Sequence, residues 1–400
     1  MKTSRREFAK VTVAGSLLHS SSLEAQEAVR HDAEFDPWVE IFPDNLRHNV
    51  SEVTRRVSGR PIMAVIKNNG YGLGVVNAAR ILEPLSAVEG FAVVKAQEAH
   101  QLRDARIKKP VLLMGPFGAK DLEDLAARDI RPMVYTQIGP VMDRMSARLH
   151  KQIPVQVCVD TGIGRVGIPY RQAPPLIRDL AGRKSVKIEG TMMTFTEDPQ
   201  FDQEQLRRFR ELCDSLVAEG IHPGKKHAAS SFALFLQPAS FLDMVRPGMV
   251  LFGVYPEKEF RKSGILDLLP ALSLKARVIY VKKLLQGESA GYNRAYVAGR
   301  DVWVATLPVG HADGWPRAAA NGARVRIGDA FYPVIASVSA SHTIVEIGPE
   351  RRVNVGDVAV FFDALPGSRP EDVSEATGTS VYDLTMHLSA LLPRKIQGSP

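Results

Sequence analysis

Apolar residues fall along this chain in two rhythms, and the change between them divides it. From Pro61 to about Met249, short runs that are apolar at nearly every position alternate with segments that are apolar at every third or fourth. The runs are Pro61–Lys67, Gly90–Val94, Pro110–Gly115, Arg131–Tyr135, Pro154–Asp160, Lys187–Phe195, Lys226–Ser231 and Met244–Met249. A run without polar alternation is what a strand covered on both faces requires, as in a parallel sheet under helices. Between two of them, Asp202–Glu219 sets Leu206, Phe209, Leu212 and Leu216 on one helical stripe. Strands alternating with helices in this way predict an α/β fold, a (β/α)8 TIM-type barrel. After about Pro270 the rhythm changes to strands and Gly-rich turns: Leu272–Leu284, Asp301–Val309, Ala323–Ile327, Thr343–Ile347 and Asp357–Phe362. That predicts a C-terminal, mainly-β domain. The expected division is a barrel over 29–270 and a β-domain over 271–400, with an early strand, Trp38–Ile41, joining the β-domain.

Residues 1–28 stand outside both patterns. Ser4-Arg5-Arg6-Glu7-Phe8-Ala9-Lys10 matches the twin-arginine export signal, and a modestly apolar segment follows from Val11 to Leu18. Thr12 and Ser16 keep that segment less apolar than an ordinary secretory one, and Ala25 and Ala28 offer flanks for cleavage. The expectation is a periplasmic protein handled by the twin-arginine translocase, a route that carries folded proteins with their cofactors already in place.

Composition narrows the partners. Four hundred residues, 45% of them apolar, can bury a large core, and no run approaches a membrane-spanning helix, so no membrane anchor is expected. The net charge of +7 is spread along the chain rather than gathered in a stripe, which argues against nucleic acid. Cys158 and Cys213 fall in an expected strand and an expected helix and read as independent thiols, without a bridge. No metal site is expected.

The chemistry concentrates at strand ends. Pro61 to Gly74 reads as a buried strand running into Lys67 and then a turn broken by Gly70, Gly72 and Gly74. Apolar surroundings disfavour an ammonium, which suits a lysine that must act as a nucleophile toward an aldehyde. Tyr71 adds a hydroxyl beside it. His227-Ala228-Ala229-Ser230-Ser231 ends the seventh strand and Met244-Val245-Arg246-Pro247-Gly248-Met249 forms the eighth. Phosphate is commonly held by these two loops in such barrels.

These segments, together with Asp160-Thr161-Gly162-Ile163-Gly164-Arg165-Val166-Gly167, Ala290-Gly291-Tyr292-Asn293-Arg294 and Val381-Tyr382-Asp383-Leu384, resemble the alanine racemase family in the same order, from about Trp38 to Arg394. The resemblance implies pyridoxal 5'-phosphate on Lys67, with Ser231, Gly248 and Met249 at its phosphate, Tyr382 at the phosphate and substrate pocket, Tyr71 among the cofactor-binding residues and Arg246 facing its ring nitrogen. It implies a small amino acid as substrate, its carboxylate held by Arg165 directly or through the catalytic tyrosine. Lys67 and Tyr292 become the two bases of a racemase, with Tyr292 reaching the site from the other subunit of a homodimer.

The sequence also departs from the family. Cys158 stands where many members carry a carbamylated lysine, and Met193-Thr194 where they have Thr-His. Ala340 and Ser341 replace a Met-Asp pair at the substrate side, and His311 replaces a tyrosine. Smaller, less acidic residues imply a substrate range broader than, or different from, alanine. The alternatives are another fold type III pyridoxal-phosphate enzyme, or a non-catalytic cofactor-binding protein like the single-barrel homeostasis proteins, which lack the β-domain.

Overall fold

In the computed structural model, which describes residues 36–398, the first strand β1 (Trp38–Ile41) leads through the helix Pro43–Arg56 into β2 (Ile62–Val65). The export pattern of residues 4–28 lies outside the described residues. All four residues of β2 are buried, as an unbroken apolar run demands. Next come β3 (Val88–Val93), β4 (Val111–Leu113), β5 (Ile130–Val134), β6 (Ile153–Asp160), a two-residue β7 (Ile168–Pro169), β8 (Val186–Met192) and β9 (Lys225–His227). They pair in the order β2-β3-β4-β5-β6-β8-β9, with β7 on β6. Every pairing is parallel.

The eighth expected strand, Met244–Met249, is reduced to one parallel bridge between Ile62 and Val245 that closes the ring. Pro247 has no N–H to donate, so only part of a ladder forms. The N–H groups of Met63 and Val65 donate to the carbonyls of Val245 and Pro247, each at 2.9 Å. The seventh is shortened too: β9 stops at His227, and the chain peels away to deliver Ser230 and Ser231.

The second part is a nine-stranded sheet. Its strands are β10 (Leu272–Arg277), β11 (Tyr280–Leu284), β14 (Val302–Leu307), β15 (Arg324–Ile327), β16 (Ala330–Ile335), β17 (Thr343–Gly348), β18 (Val358–Phe362) and β19 (Arg394–Ile396), together with β1; β12 (Ser289–Ala290) and β13 (Tyr296–Val297) form a separate pair. The order is β11-β14-β17-β16-β15-β18-β10-β1-β19. Trp38–Ile41 therefore sits between β10 and β19, antiparallel to the first and parallel to the second.

Three expectations need correction here. Leu272–Leu284 is two strands, because the chain crosses the sheet at Val278 and Ile279, whose N–H groups turn to Asp357 and Thr306. β16 was not expected at all: Pro333 in its middle masks an alternation that buries Tyr332 and Val334. The region read as β also holds two helices, Pro370–Thr377 and Val381–Met386, the second capped by the Ser380 hydroxyl on the Tyr382 N–H.

Candidate active site

β2 delivers Lys67 to the carboxyl end of the barrel, and the chain then does something rare. Asn68, Asn69, Gly70 and Tyr71 have φ of 52°, 57°, 60° and 51°, a full turn in the left-handed region. Left-handed helix costs L-residues about 1–2 kcal/mol each, least for Gly and for Asn, which explains the Asn-Asn-Gly run. Glu98, itself buried, accepts the Asn69 N–H at 2.8 Å and anchors the turn from the neighbouring helix. The reversal folds Tyr71 back into the barrel end, where its ring stacks on Phe252 at 4.8 Å. Gly72 closes the turn at φ 97°, and a Cβ there would stand 2.5 Å from the Thr385 carbonyl. The turn is thereby docked against the short helix that carries Tyr382.

Around Lys67 lies a cavity of 440 Å³, a usual size for a small-molecule site. It gathers Lys67, Tyr71, Arg165, Ser231, Arg246, Gly248 and Tyr382, which the chain spreads over more than three hundred positions. Burial lowers the proton affinity of the Lys67 amine, and the nearby Arg165 charge lowers it further. Burial pushes the Tyr71 hydroxyl up, and Tyr382 up to about 12. Gly248 presses on the Tyr71 hydroxyl so closely that a Cβ would come within 2.3 Å. Its N–H donates to Ser231 Oγ at 3.0 Å, and Met249, buried, opens the short turn that follows.

Arg246 is fully enclosed. Nη1 donates to the His227 carbonyl at 2.6 Å and lies 3.0 Å from His227 Nδ1, while Nη2 donates to the Met193 carbonyl at 2.6 Å. Burial pushes it down to about 10, so it stays cationic at neutral pH. His227 is held neutral by burial and by that guanidinium, and its Nε2 meets Gln156 Oε1 at 3.0 Å. Sequence reasoning missed this Gln156–His227–Arg246 chain; the one available signal was a glutamine inside the apolar run of β6. Cys158 sits beside it as a thiol pushed up to about 11 by burial, donating to the Val166 carbonyl at 3.6 Å.

Arg165 rides on a loop pinned by Asp160, whose carboxylate accepts the N–H groups of Gly162 at 2.8 Å and Gly164 at 3.1 Å. A second buried pair, Asp202 and Gln205, fixes the opposite loop. Asp202 Oδ1 accepts from the N–H groups of Thr196 and Glu197, both at 3.1 Å, and Gln205 Nε2 donates to Thr161 Oγ1 at 3.1 Å and to the Thr194 carbonyl at 3.2 Å. Both residues share the buried face of the helix Pro199–Ala218 with its apolar stripe.

Tyr292, Ala340 and Ser341 are not brought to this cavity within the chain. Tyr292 is 74% exposed on the β-domain, Ala340 and Ser341 are exposed, and none lines the Lys67 cavity. One loop, 336–341, nevertheless links them: a Cβ on Gly291 would meet Ala336, and the His311 N–H donates to the Ser339 carbonyl at 3.0 Å. His311 Nε2 lies 2.9 Å from an Arg317 guanidinium nitrogen. Among the described residues no His, Cys, Asp and Glu group could hold a metal ion.

The lining fits pyridoxal phosphate: an amine of lowered proton affinity, a Gly248 backbone pressed on the Tyr71 hydroxyl where no Cβ fits, a hydroxyl at Ser231 and an enclosed guanidinium. Known proteins agree. The family of alanine racemase N-terminal domains matches residues 41–256, and that of alanine racemase C-terminal domains matches 271–396. The alanine racemase of Carboxydothermus hydrogenoformans is 32% identical over 368 residues, 89% of this chain and 98% of its own; that of Desulforamulus reducens is 31% identical over 366 residues, again 89% and 98%. Among solved structures, the alanine racemase of Clostridium difficile 630 superposes with a TM-score of 0.84 at 27% identity, covering 90% of this chain and 96% of that one. The enzyme from D-cycloserine-producing Streptomyces lavendulae gives 0.84 at 28%, covering 92% and 98%. Agreement of that extent, across both domains, makes the chain a divergent member of the alanine racemase family, pyridoxal-phosphate-dependent amino-acid racemases.

Proposed function

We propose that this protein interconverts L- and D-amino acids with two bases, Lys67 on one face of the substrate and Tyr292 of the partner subunit on the other, and that its substrates extend beyond alanine. The observation that carries the reading is how its bases are divided. Lys67 lies in the cavity with a lowered proton affinity, the cavity's own tyrosines are pushed up, and Tyr292 stands exposed outside it. In this reading the second base comes from another copy of the chain.

Pyridoxal phosphate, when bound, supplies an electron sink that acidifies the Cα–H of an attached amino acid. Ser231, Gly248, Met249, Tyr71 and Tyr382 would hold its phosphate, and Arg246 its ring nitrogen. A guanidinium already engaged by two carbonyls keeps its own protons and accepts none, which leaves that nitrogen unprotonated. The sink is then weak, and brief removal and return of one proton is favoured over longer-lived carbanion chemistry. Lys67 Nζ takes or returns that proton on one face, and the Tyr292 hydroxyl does so on the other. Arg165 holds the carboxylate, so that the side chain alone distinguishes substrates. The single-barrel binding protein has no counterpart to the nine-stranded sheet and loses ground.

Circular dichroism on single enantiomers of the proteinogenic amino acids tests the reading. Decay of optical activity to zero for alanine and for larger amino acids is expected; no decay with any of them overturns it, and decay with alanine alone removes the broader range. We further propose twin-arginine export to the periplasm, on the Ser4–Lys10 pattern. Arg5→Lys with Arg6→Lys should hold the activity in the cytoplasm, and unchanged periplasmic activity would show the pattern to be accidental.

A further inference from the structure

The cavity wall holds three cations with assigned tasks, Lys67, Arg165 and Arg246, and a single carboxylate, Glu197, without one. Glu197 is exposed at the solvent side of the cavity. Its backbone stands at φ 67°, in the left-handed region, although it is neither Gly nor Asn. Such a conformation persists only where the surroundings impose it, and it clusters at ligand sites. Here the imposing group is Asp202, completely buried, whose Oδ1 takes the N–H of Glu197 at 3.1 Å while also holding Thr196 through its N–H and hydroxyl. The loop is strained in a way that keeps the Glu197 side chain on the cavity wall.

That side chain has no partner. Among the described residues its carboxylate forms no ion pair and accepts no hydrogen bond. The groups that face it are Asp202 and Glu257, which repel its charge, Tyr382, and Arg165, which attracts it from beyond ion-pair distance. Partial desolvation at the cavity wall and the two carboxylates raise its proton affinity, against the pull of Arg165. A negative charge in a partly desolvated and acidic setting is relieved by a cation. Alanine, with a methyl side chain, brings none.

We propose that Glu197 selects amino acids whose side chain ends in an ammonium or a guanidinium, so that the preferred substrates are basic. This inference rests on the racemase reading. Arg165 takes the carboxylate of such a substrate, and Glu197 accepts hydrogen bonds from the far end of its side chain. Arg165 would then match the carboxylate that every amino acid carries, and Glu197 the side-chain cation that distinguishes lysine or arginine from a neutral amino acid of equal length.

The test uses the holoenzyme with L-lysine, L-norleucine and L-alanine, following racemisation by circular dichroism. Norleucine matches lysine in length but lacks the ammonium. A hydrogen-bonded charge partly open to water typically changes affinity about tenfold. Wild-type enzyme should therefore prefer lysine to norleucine by about tenfold in kcat/KM, carried in KM, and Glu197→Gln should erase the preference. Equal turnover of lysine and norleucine by the wild type overturns the inference and leaves the racemase standing. So does an equal loss on all three substrates in Glu197→Gln, which would make Glu197 a positioning residue for Arg165. If no amino acid racemises, the racemase reading falls first. Equilibrium dialysis of lysine against norleucine on the same holoenzyme then judges Glu197 by binding alone, and equal binding overturns it.

Discussion

Arg246 shows what a single residue contributes when its geometry is used in full. Its fork reaches two carbonyls and an imidazole at once, in a place sealed from water. Lysine keeps the charge but cannot span those acceptors, and hydrogen bonds from a charged donor are each worth about 1.5–3 kcal/mol. Arg246→Lys should lower the urea-unfolding free energy by about 3 kcal/mol, and a loss under about 0.5 kcal/mol would mean that the acceptors find other donors. Lys67 makes an opposite case, a charge that the fold disfavours. Its folded proton affinity lies below the ordinary value of 10.5, so the unfolded chain holds more protons between the two values and stability rises with pH there. In the apoprotein, Lys67→Met should be more stable than wild type at neutral pH, and its advantage should shrink as the pH approaches 10.5. A difference that does not vary with pH would show that Lys67 is not penalised by burial. Gly248→Ala drives a methyl into the Tyr71 hydroxyl; it should weaken retention of pyridoxal phosphate on dialysis more than it weakens the fold.

Among elements, the left-handed turn after β2 has the widest consequences, because it sets Tyr71 into the cavity and offers its outer side to the helix Val381–Met386. Gly72→Ala meets two obstacles together, a positive φ and the Thr385 carbonyl at 2.5 Å. A loss of about 2–3 kcal/mol is expected, along with weaker cofactor binding as Tyr382 is displaced. Normal stability and normal binding would mean that the helix shifts freely. The alternating strands and helices of the barrel were legible in the sequence, because hydrophobic period is a property of neighbouring residues. Element ends were less so. The break at Val278 and Ile279 carries no Gly or Pro; it exists because Asp357 and Thr306 offer acceptors in different parts of the sheet. β16 was hidden for the opposite reason, a proline where a strand is not usually expected.

For the whole molecule, the question is whether the site is complete in one chain. Tyr292 lies away from the Lys67 cavity of its own chain, and its neighbour Gly291 packs on Ala336, at the start of the 336–341 loop that carries Ala340 and Ser341. If the β-domain of one subunit completes the barrel of the other, two inactive variants can repair each other. Lys67→Ala and Tyr292→Phe, denatured together and refolded as a mixture, should recover about a quarter of wild-type activity, since half the dimers are mixed and each mixed dimer has one intact site. No recovery above the separate variants would place Tyr292 in the same subunit as its lysine, or out of the reaction.

The sequence by itself determined the barrel, the β-domain after it and the strand-end position of Lys67, since each follows from local periodicity and local turn chemistry. A glycine-broken turn after Lys67 was legible too, but its left-handed course through Asn68, Asn69 and Tyr71 was not, because Glu98 anchors it from the neighbouring helix. Only the tertiary structure decided what surrounds those residues. Gln156, His227 and Arg246 come from three barrel segments, and Asp202 strains Glu197 from a helix that starts beyond it in the chain. Long-range contacts of this kind leave no period in a sequence, because each depends on where distant segments meet after the ring has closed.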